Sequence, residues 1–197
     1  RGIPWLSPLR EHRKPSVKDK GCDGEVSALC GSLLQGGTSD RRRLRGKIDM
    51  TVRTMTIDDY TGVHNLWMTI KGFAIRSIDD SREGVERFLK RNPTTSVVAI
   101  EDGKIVGSIL CGHDGRRGCL YHVCVHEDYR MRGIGKSMVV HCMKELEKEK
   151  ISKVSLIAFT KNDIGNAFWK EIGWTKREDL NYYDFVLNKE NIINYNK

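Results

Sequence analysis

Cys119-Leu120-Tyr121-His122-Val123-Cys124-Val125-His126, Glu127-Asp128-Tyr129 and Arg130-Met131-Arg132-Gly133-Ile134-Gly135-Lys136-Ser137 follow one another without interruption. The first stretch is rich in apolar and β-branched side chains and reads as a strand. Beyond the loop the apolar period becomes helical, with Ile134, Met138, Cys142 and Leu146 on one stripe that fades in Glu147-Lys148-Glu149-Lys150. A strand that enters a helix through such a loop leaves the N–H groups of the first helical turn without partners, and these bind anions. Gly133 and Gly135 let an anion approach the backbone with no Cβ in the way, while Arg132 and Lys136 add positive charge at the rim.

Upstream of this unit, Met50 to Met55 reads as a short strand, and Thr56 with Asp59 resembles a capping box opening a helix that faces inward through Tyr60, Val63, Trp67 and Ile70. Asp80 with Glu83 signals a second helix, which carries Val85, Phe88 and Leu89 and stops before Asn92-Pro93. Ser96 to Glu101 and Lys104 to Gly112 form a hairpin across Asp102-Gly103, and a further turn from His113 to Gly118 makes three successive strands antiparallel. Downstream, Lys153 to Phe159 reads as a strand, and Asn162 caps a helix with Ile164, Phe168 and Ile172 that Gly173 closes. Trp174 to Leu187 is expected to add two strands turning near Leu180-Asn181. The predicted fold class is α/β: a mixed sheet of about seven strands flanked by four helices.

With 197 residues, 39% hydrophobic and 30% charged, the chain suits one ordinary core, taken here as residues 50–197. Residues 1–49 lack periodicity and contain the basic run Arg41-Arg42-Arg43-Leu44-Arg45, so they read as a disordered or upstream extension. They hold 11 of the 34 Lys+Arg and 6 of the 26 Asp+Glu, which leaves 23 and 20 for residues 50–197. A folded part that is only mildly basic suits a small polyanion at least as well as nucleic acid, and no nucleic-acid partner is expected. No apolar run approaches the roughly 20 residues that span a bilayer, and no secretory leader is recognisable, so a soluble cytoplasmic protein with no membrane partner is expected. The six cysteines show no C-x-x-C pair and no metal spacing, which predicts free thiols and no metal.

Three readings compete for the glycine loop. A dinucleotide-binding G-x-G-x-x-G fails because Met138 occupies the third glycine's place. A Walker A loop matches at Gly135-Lys136-Ser137, but Arg130 stands where its first glycine belongs, and the next strand ends in Thr160 and not in an aspartate. A plain turn remains possible for the loop taken alone.

The whole pattern resembles the GNAT superfamily of acetyl-CoA-dependent N-acetyltransferases, over nearly all of residues 50–197. That family's [QR]-x-x-G-x-[GA] fingerprint appears as Arg130-Met131-Arg132-Gly133-Ile134-Gly135, between a strand and a helix. A second marker appears as Asn162, Phe168-Trp169 and Gly173-Trp174. Arg91-Asn92-Pro93, the segment Gly112 to Gly118, and Tyr121-His122 also look like small bacterial single-domain members.

The resemblance implies acetyl-CoA as co-substrate, held by Val123, Cys124, Val125, Met131, Arg132, Gly133, Ile134, Gly135, Lys136, Ser137, Asn162 and Trp169. The strand after Val125 should splay to admit the pantetheine arm, and a backbone N–H near Val123 to Val125 should polarise the thioester carbonyl. Direct attack by a primary amine then needs a base, for which His122 is the first candidate, with His113, Asp114 and Glu127 weaker ones. The position at which the family often carries a proton-donating tyrosine is Trp169, so Tyr182 or Tyr183 must supply the proton, or the thiolate leaves aided by backbone dipoles and solvent. Asp79, Asp80, Asp179 and Asp184 are candidates to attract a cationic acceptor, which could be a small-molecule amine or a protein amino group. A monomer or homodimer is expected. A non-catalytic acyl-CoA-binding regulatory module is the alternative.

Overall fold

A computed structural model describes residues 50–197, so the reading of residues 1–49 as a disordered extension lies outside the described residues. The elements are β1 (Met50–Thr54), α1 (Tyr60–Thr69), β2 (Ala74–Arg76), α2 (Arg82–Arg91), β3 (Val97–Glu101), β4 (Lys104–His113), β5 (Gly118–Val125), α3 (Ile134–Lys148), β6 (Val154–Leu156), α4 (Asp163–Glu171) and β7 (Ile193–Tyr195), with short 3-10 turns at Ile57–Asp59 and Glu127–Tyr129. The main sheet has the order β1-β3-β4-β5-β6, and β2 pairs with β7 in a second sheet. Its hairpins run antiparallel as the Asp-Gly turns predict, while β5 and β6 are parallel. Seven strands and four helices in a mixed α/β arrangement match the expected class.

Strand alternation divides the core into two layers. Val97, Ala99 and Ile109 face α3, where Met138, Cys142 and Leu146 pack on them. Val98 and Leu110 face the other way, onto Val63, Leu66 and Trp67 of α1 and Val85 and Leu89 of α2. Helices cover both faces of the sheet, which is how a largely apolar central strand such as Val97–Glu101 loses its contact with water.

The expected strand pair in Trp174 to Leu187 does not form. That segment carries no ladder, and its Lys176–Glu178 and Arg177–Asp179 side chains pair locally at 2.7 and 2.6 Å instead. The edge strand β6 is only three residues long and offers few groups to pair with. The two strands that complete the seven are β2 and β7, which pair Ala74 with Tyr195 and Arg76 with Ile193. The chain end is anchored further by Asn196, whose side-chain amide donates to the carbonyls of Trp67 (2.8 Å) and Ile70 (3.0 Å). Its backbone exchanges bonds with Gly72 and Phe73. Asn196 thereby adds a second donor to carbonyls at the end of α1 that already accept the Ile70 and Phe73 N–H groups.

A second correction concerns α2. Its cap is Ser81, whose hydroxyl accepts the Gly84 N–H at 3.0 Å, and not Asp80. Asp80 is released for a different role.

Candidate active site

The loop before α3 needs a left-handed backbone at two positions. Gly133, at φ 78°, is the N-cap and takes this conformation without steric cost, whereas Met131 holds φ 58° with a Cβ. Ser137 N–H makes the first turn's bond to the Gly133 carbonyl at 3.0 Å, so the N–H groups of Ile134, Gly135 and Lys136 precede any helical partner. Lys136 and Ser137 are exposed beside them. The helix thus opens with unpaired N–H groups at the glycine loop, the backbone geometry that the sequence predicts there.

Two loop residues act differently from their sequence reading. Arg132 does not stand free at the rim: its guanidinium donates to both oxygens of buried Glu101, at 2.8 and 2.7 Å, and lies over the Tyr129 ring. It ties the loop to the β3–β4 hairpin. A Cβ on Gly135 would sit 3.3 Å from the Phe168 ring, so this glycine makes room for α4. A side chain there would have to push the ring aside by a few tenths of an ångström.

The backbone of β5 supplies the second part of the site. Its parallel pairing with β6 runs from Gly118–Val154 to Leu120–Leu156 and ends there. Beyond Leu120 this edge of β5 has no strand beside it among the described residues. His126 N–H donates to the Val106 carbonyl on the β4 side, and Cys124 is registered with Ser108 there. By alternation from Cys124, Val125 turns its N–H and C=O, and Val123 its C=O, to the open edge. The Val125 carbonyl already accepts Arg130 Nε at 3.1 Å. The open edge and the α3 terminus therefore belong to one continuous stretch of chain, as the sequence predicts.

His122 lies at a bulge. Ser108 pairs with Cys124 and Leu110 with Tyr121, so His122 and Val123 together oppose Ile109, and His122 adopts φ 49°. Simple alternation places Tyr121 with Val123 and Val125, opposite His122. The bulge overturns this: Tyr121 packs on Phe88 and His122 on Trp67 and Phe73, all on the α1–α2 layer, while Val123 and Val125 pack on the α3 layer.

The imidazole is gripped on several sides. Its Nε2 lies 2.6 Å from Asp80 Oδ1, and its centroid is 4.7 Å from that of Trp67 and 4.8 Å from that of Phe73. The His122 and Asp80 side chains are 13% and 5% exposed, so this is an interior pair and not a solvated contact. Asp80 Oδ2 accepts the Arg76 N–H at 2.6 Å, and the Asp80 carbonyl accepts the Tyr60 hydroxyl at 3.0 Å. Asp80 is thus no exposed lure for a cation.

The remaining candidates separate clearly. Asn162 Oδ1 caps α4 by accepting the Gly165 N–H at 3.0 Å. Trp169 packs between Phe168 and Trp174, at 5.0 and 4.9 Å, and contributes to the core beneath α3. Burial pushes the Cys124 thiol up to about 11, against weaker opposition from Ser108, so the group is held as a neutral thiol. Burial, and after it the Cys119 thiol, push the Tyr121 phenol up, which makes it a weaker acid. Tyr183 is 85% exposed and makes no hydrogen bond or aromatic contact among the described residues. Asp179 is held at about 2 by hydrogen bonds from Arg177, and Asp79 accepts from the Asn191 amide at 2.7 Å. Phe73 and the ion-pairing role of Glu101 are the contributors missed in sequence, while the sequence already places Trp67 on an inward helix face and Phe168 in a family marker. Only Ser81, a better cap than Asp80, signalled that Asp80 was free for other work.

Among the described residues no helix is long and apolar enough to cross a membrane. The profile of the acetyltransferase (GNAT) family matches residues 60–174. An acetyltransferase of Sodalis glossinidius (strain morsitans) is 30% identical over 131 residues, 66% of this chain and 91% of that protein. One of Pectobacterium atrosepticum is 34% identical over 114 residues, 58% of this chain and 79% of its own. Among solved structures, the PaiA N-acetyltransferase of Thermoplasma acidophilum in complex with coenzyme A shares the fold, with a TM-score of 0.59 at 15% identity over 74% of this chain and 97% of that one. The aminoglycoside enzyme AAC(6')-Iy, in complex with a bisubstrate analog, does so with a TM-score of 0.56 at 16% identity over 70% and 99%. With its family profile covering the open β5 edge, the glycine loop and both flanking helices, the chain belongs to the acetyltransferase (GNAT) family.

Proposed function

We propose that this acetyltransferase moves the acetyl group of acetyl-CoA directly onto a primary amine bound on the α1–α2 side of the sheet. The observation that carries the reading is the open edge of β5 beyond Leu120, continuous with the unpaired N–H groups at the start of α3. Such an edge fits an amide-bearing arm by strand-like pairing, and the helix terminus fits a pyrophosphate. Coenzyme A in the PaiA structure and a bisubstrate analog in AAC(6')-Iy are in keeping with that fit.

Acetyl-CoA supplies the activated thioester, and the chain's own groups do the rest. The Val123 and Val125 backbone and the Ile134 to Lys136 amides hold the two ends of the cofactor, with Met131, Arg132, Gly133 and Ser137 shaping the loop. Asn162 and Trp169 complete the wall from α4. A β5 N–H at the open edge polarises the carbonyl, and His122 accepts the amine proton. Because Cys124 is held as a thiol, it supplies no thiolate for an acyl-enzyme. Trp169 stands where the family often carries its proton-donating tyrosine, so the donor phenol is Tyr182 or Tyr183 in its place. The exposure of both leaves backbone dipoles and solvent as the other route for stabilising the departing thiolate.

The test is calorimetry with acetyl-CoA, followed by a thiol-release screen over spermidine, lysine, an aminoglycoside and a peptide with a free N-terminus. Saturable binding with turnover of at least one amine is expected. Absence of binding at millimolar acetyl-CoA would overturn the cofactor assignment. Binding without turnover on any amine would favour an acyl-CoA-binding regulator instead.

A further inference from the structure

We propose that Asp80 is the positioning residue that sets the tautomer of His122, placing the hydrogen on Nε2 and leaving Nδ1 as the nitrogen that takes the amine's proton. The inference rests on the reading of His122 as the base.

Three observations support it. Asp80 is interior, and its two oxygens each have one short contact, Oδ1 with His122 Nε2 and Oδ2 with the Arg76 N–H, both at 2.6 Å. An ionised carboxylate only accepts, so the partner nitrogen must carry a hydrogen. The ring is packed against Trp67 and Phe73, which oppose a flip that would exchange its two nitrogens. Finally, Nδ1 has no hydrogen-bond partner among the described residues, yet no fully buried side-chain nitrogen or oxygen there is unpaired. Nδ1 therefore lies on the part of the ring that is not sealed, where an incoming group can reach it.

The arrangement also specifies the variant that breaks it. In Asp80→Asn, the carboxamide has one acceptor oxygen, and the Arg76 N–H requires it. The amide NH2 must then face His122 Nε2, which accepts only if the ring hydrogen moves to Nδ1. The shape of the pair is conserved, but the base is pointed the wrong way.

Side-chain 15N correlation spectra of the full chain read the tautomer directly. The wild type should show Nε2–H when neutral, and Asp80→Asn should show Nδ1–H. With the panel amine turned over fastest, kcat should fall by roughly 100-fold or more in Asp80→Asn, while the KM for acetyl-CoA changes less than about threefold. A wild-type Nδ1–H spectrum would overturn the proposal, even if Asp80→Asn failed to fold. So would a switched tautomer with kcat kept within about threefold, since Asp80 would then be only a structural tie. His122→Ala separates the two levels: if it retains turnover, the base reading itself fails. If it loses turnover while Asp80→Asn keeps it, only the role of Asp80 fails.

Discussion

The proposed cofactor side and the proposed acceptor side of the site are built from different materials. From Val123 to Ser137 the groups available to a ligand are mainly backbone amides and carbonyls within one continuous stretch. Around His122 they are side chains gathered from distant segments: Asp80 is 42 residues away in sequence, and Trp67 and Phe73 flank a different loop. A site made of backbone depends on conformation and tolerates changes of side chain. One made of side chains depends on identity and on the register that brings the segments together.

The largest expected effect tests the second half of this contrast. His122→Ala should lower kcat by about 10²–10⁴-fold while the acetyl-CoA Kd, measured by calorimetry, stays within about twofold. Loss of both together would mean that the two sides are not separable. Gly133→Val should do the reverse. A β-branched residue forced to φ 78° costs about 1–3 kcal/mol, so the Kd should rise roughly tenfold, with kcat at saturation nearly kept. If binding were unaffected, the loop conformation would not be what holds the ligand.

A smaller effect comes from Arg53, which donates to both oxygens of Asp59 at 2.7 and 2.6 Å at the start of α1, the helix that carries Trp67. Burial pushes the Asp59 carboxyl up, but hydrogen bonds from Arg53 and the Thr56 N–H outweigh it, and the carboxyl lies below its usual range. A lowered folded value stabilises the fold above the unfolded carboxyl's pKa, and that contribution is lost as pH falls through the folded value. Arg53→Ala should therefore cost about 1 kcal/mol near pH 7, the exposed part of the arginine being screened, and the cost should shrink in acid. Urea denaturation at pH 7 and at about pH 2.5, below the ordinary carboxyl value, reads the difference. A cost that grew in acid would reverse the sign argued here. The smallest effect is reserved for Tyr183→Phe. An exposed phenol without contacts should change kcat less than about threefold, and a tenfold loss would assign the proton donation to Tyr183.

The same contrast explains what could be read in the sequence. The strand, the glycine loop and α3 were legible because adjacent residues make them, and a period change from strand to helix marks their junction. The hairpins were legible through their Asp-Gly turns. The bulge at His122 was not, because it depends on register with Ser108 and Leu110 on another strand, and one extra residue moves Tyr121 to the opposite face. The strands expected in Trp174 to Leu187 have strand-like composition but join no ladder, and composition carries no information about pairing partners. Asp80 was misread because a carboxylate before a helix satisfies a local rule, while its actual partner lies on β5.

The anchoring of Asn196 to the end of α1 also has a consequence for the order in which the protein becomes competent. A ribosome completes β5, the glycine loop and α3 well before it releases the residues that pair with β2 and brace the Trp67 to Phe73 segment. Synthesis therefore finishes the β5 edge and the glycine loop before the partner of β2 exists, and the Trp67 to Phe73 segment that packs on His122 gains its bonds from Asn196 only afterwards.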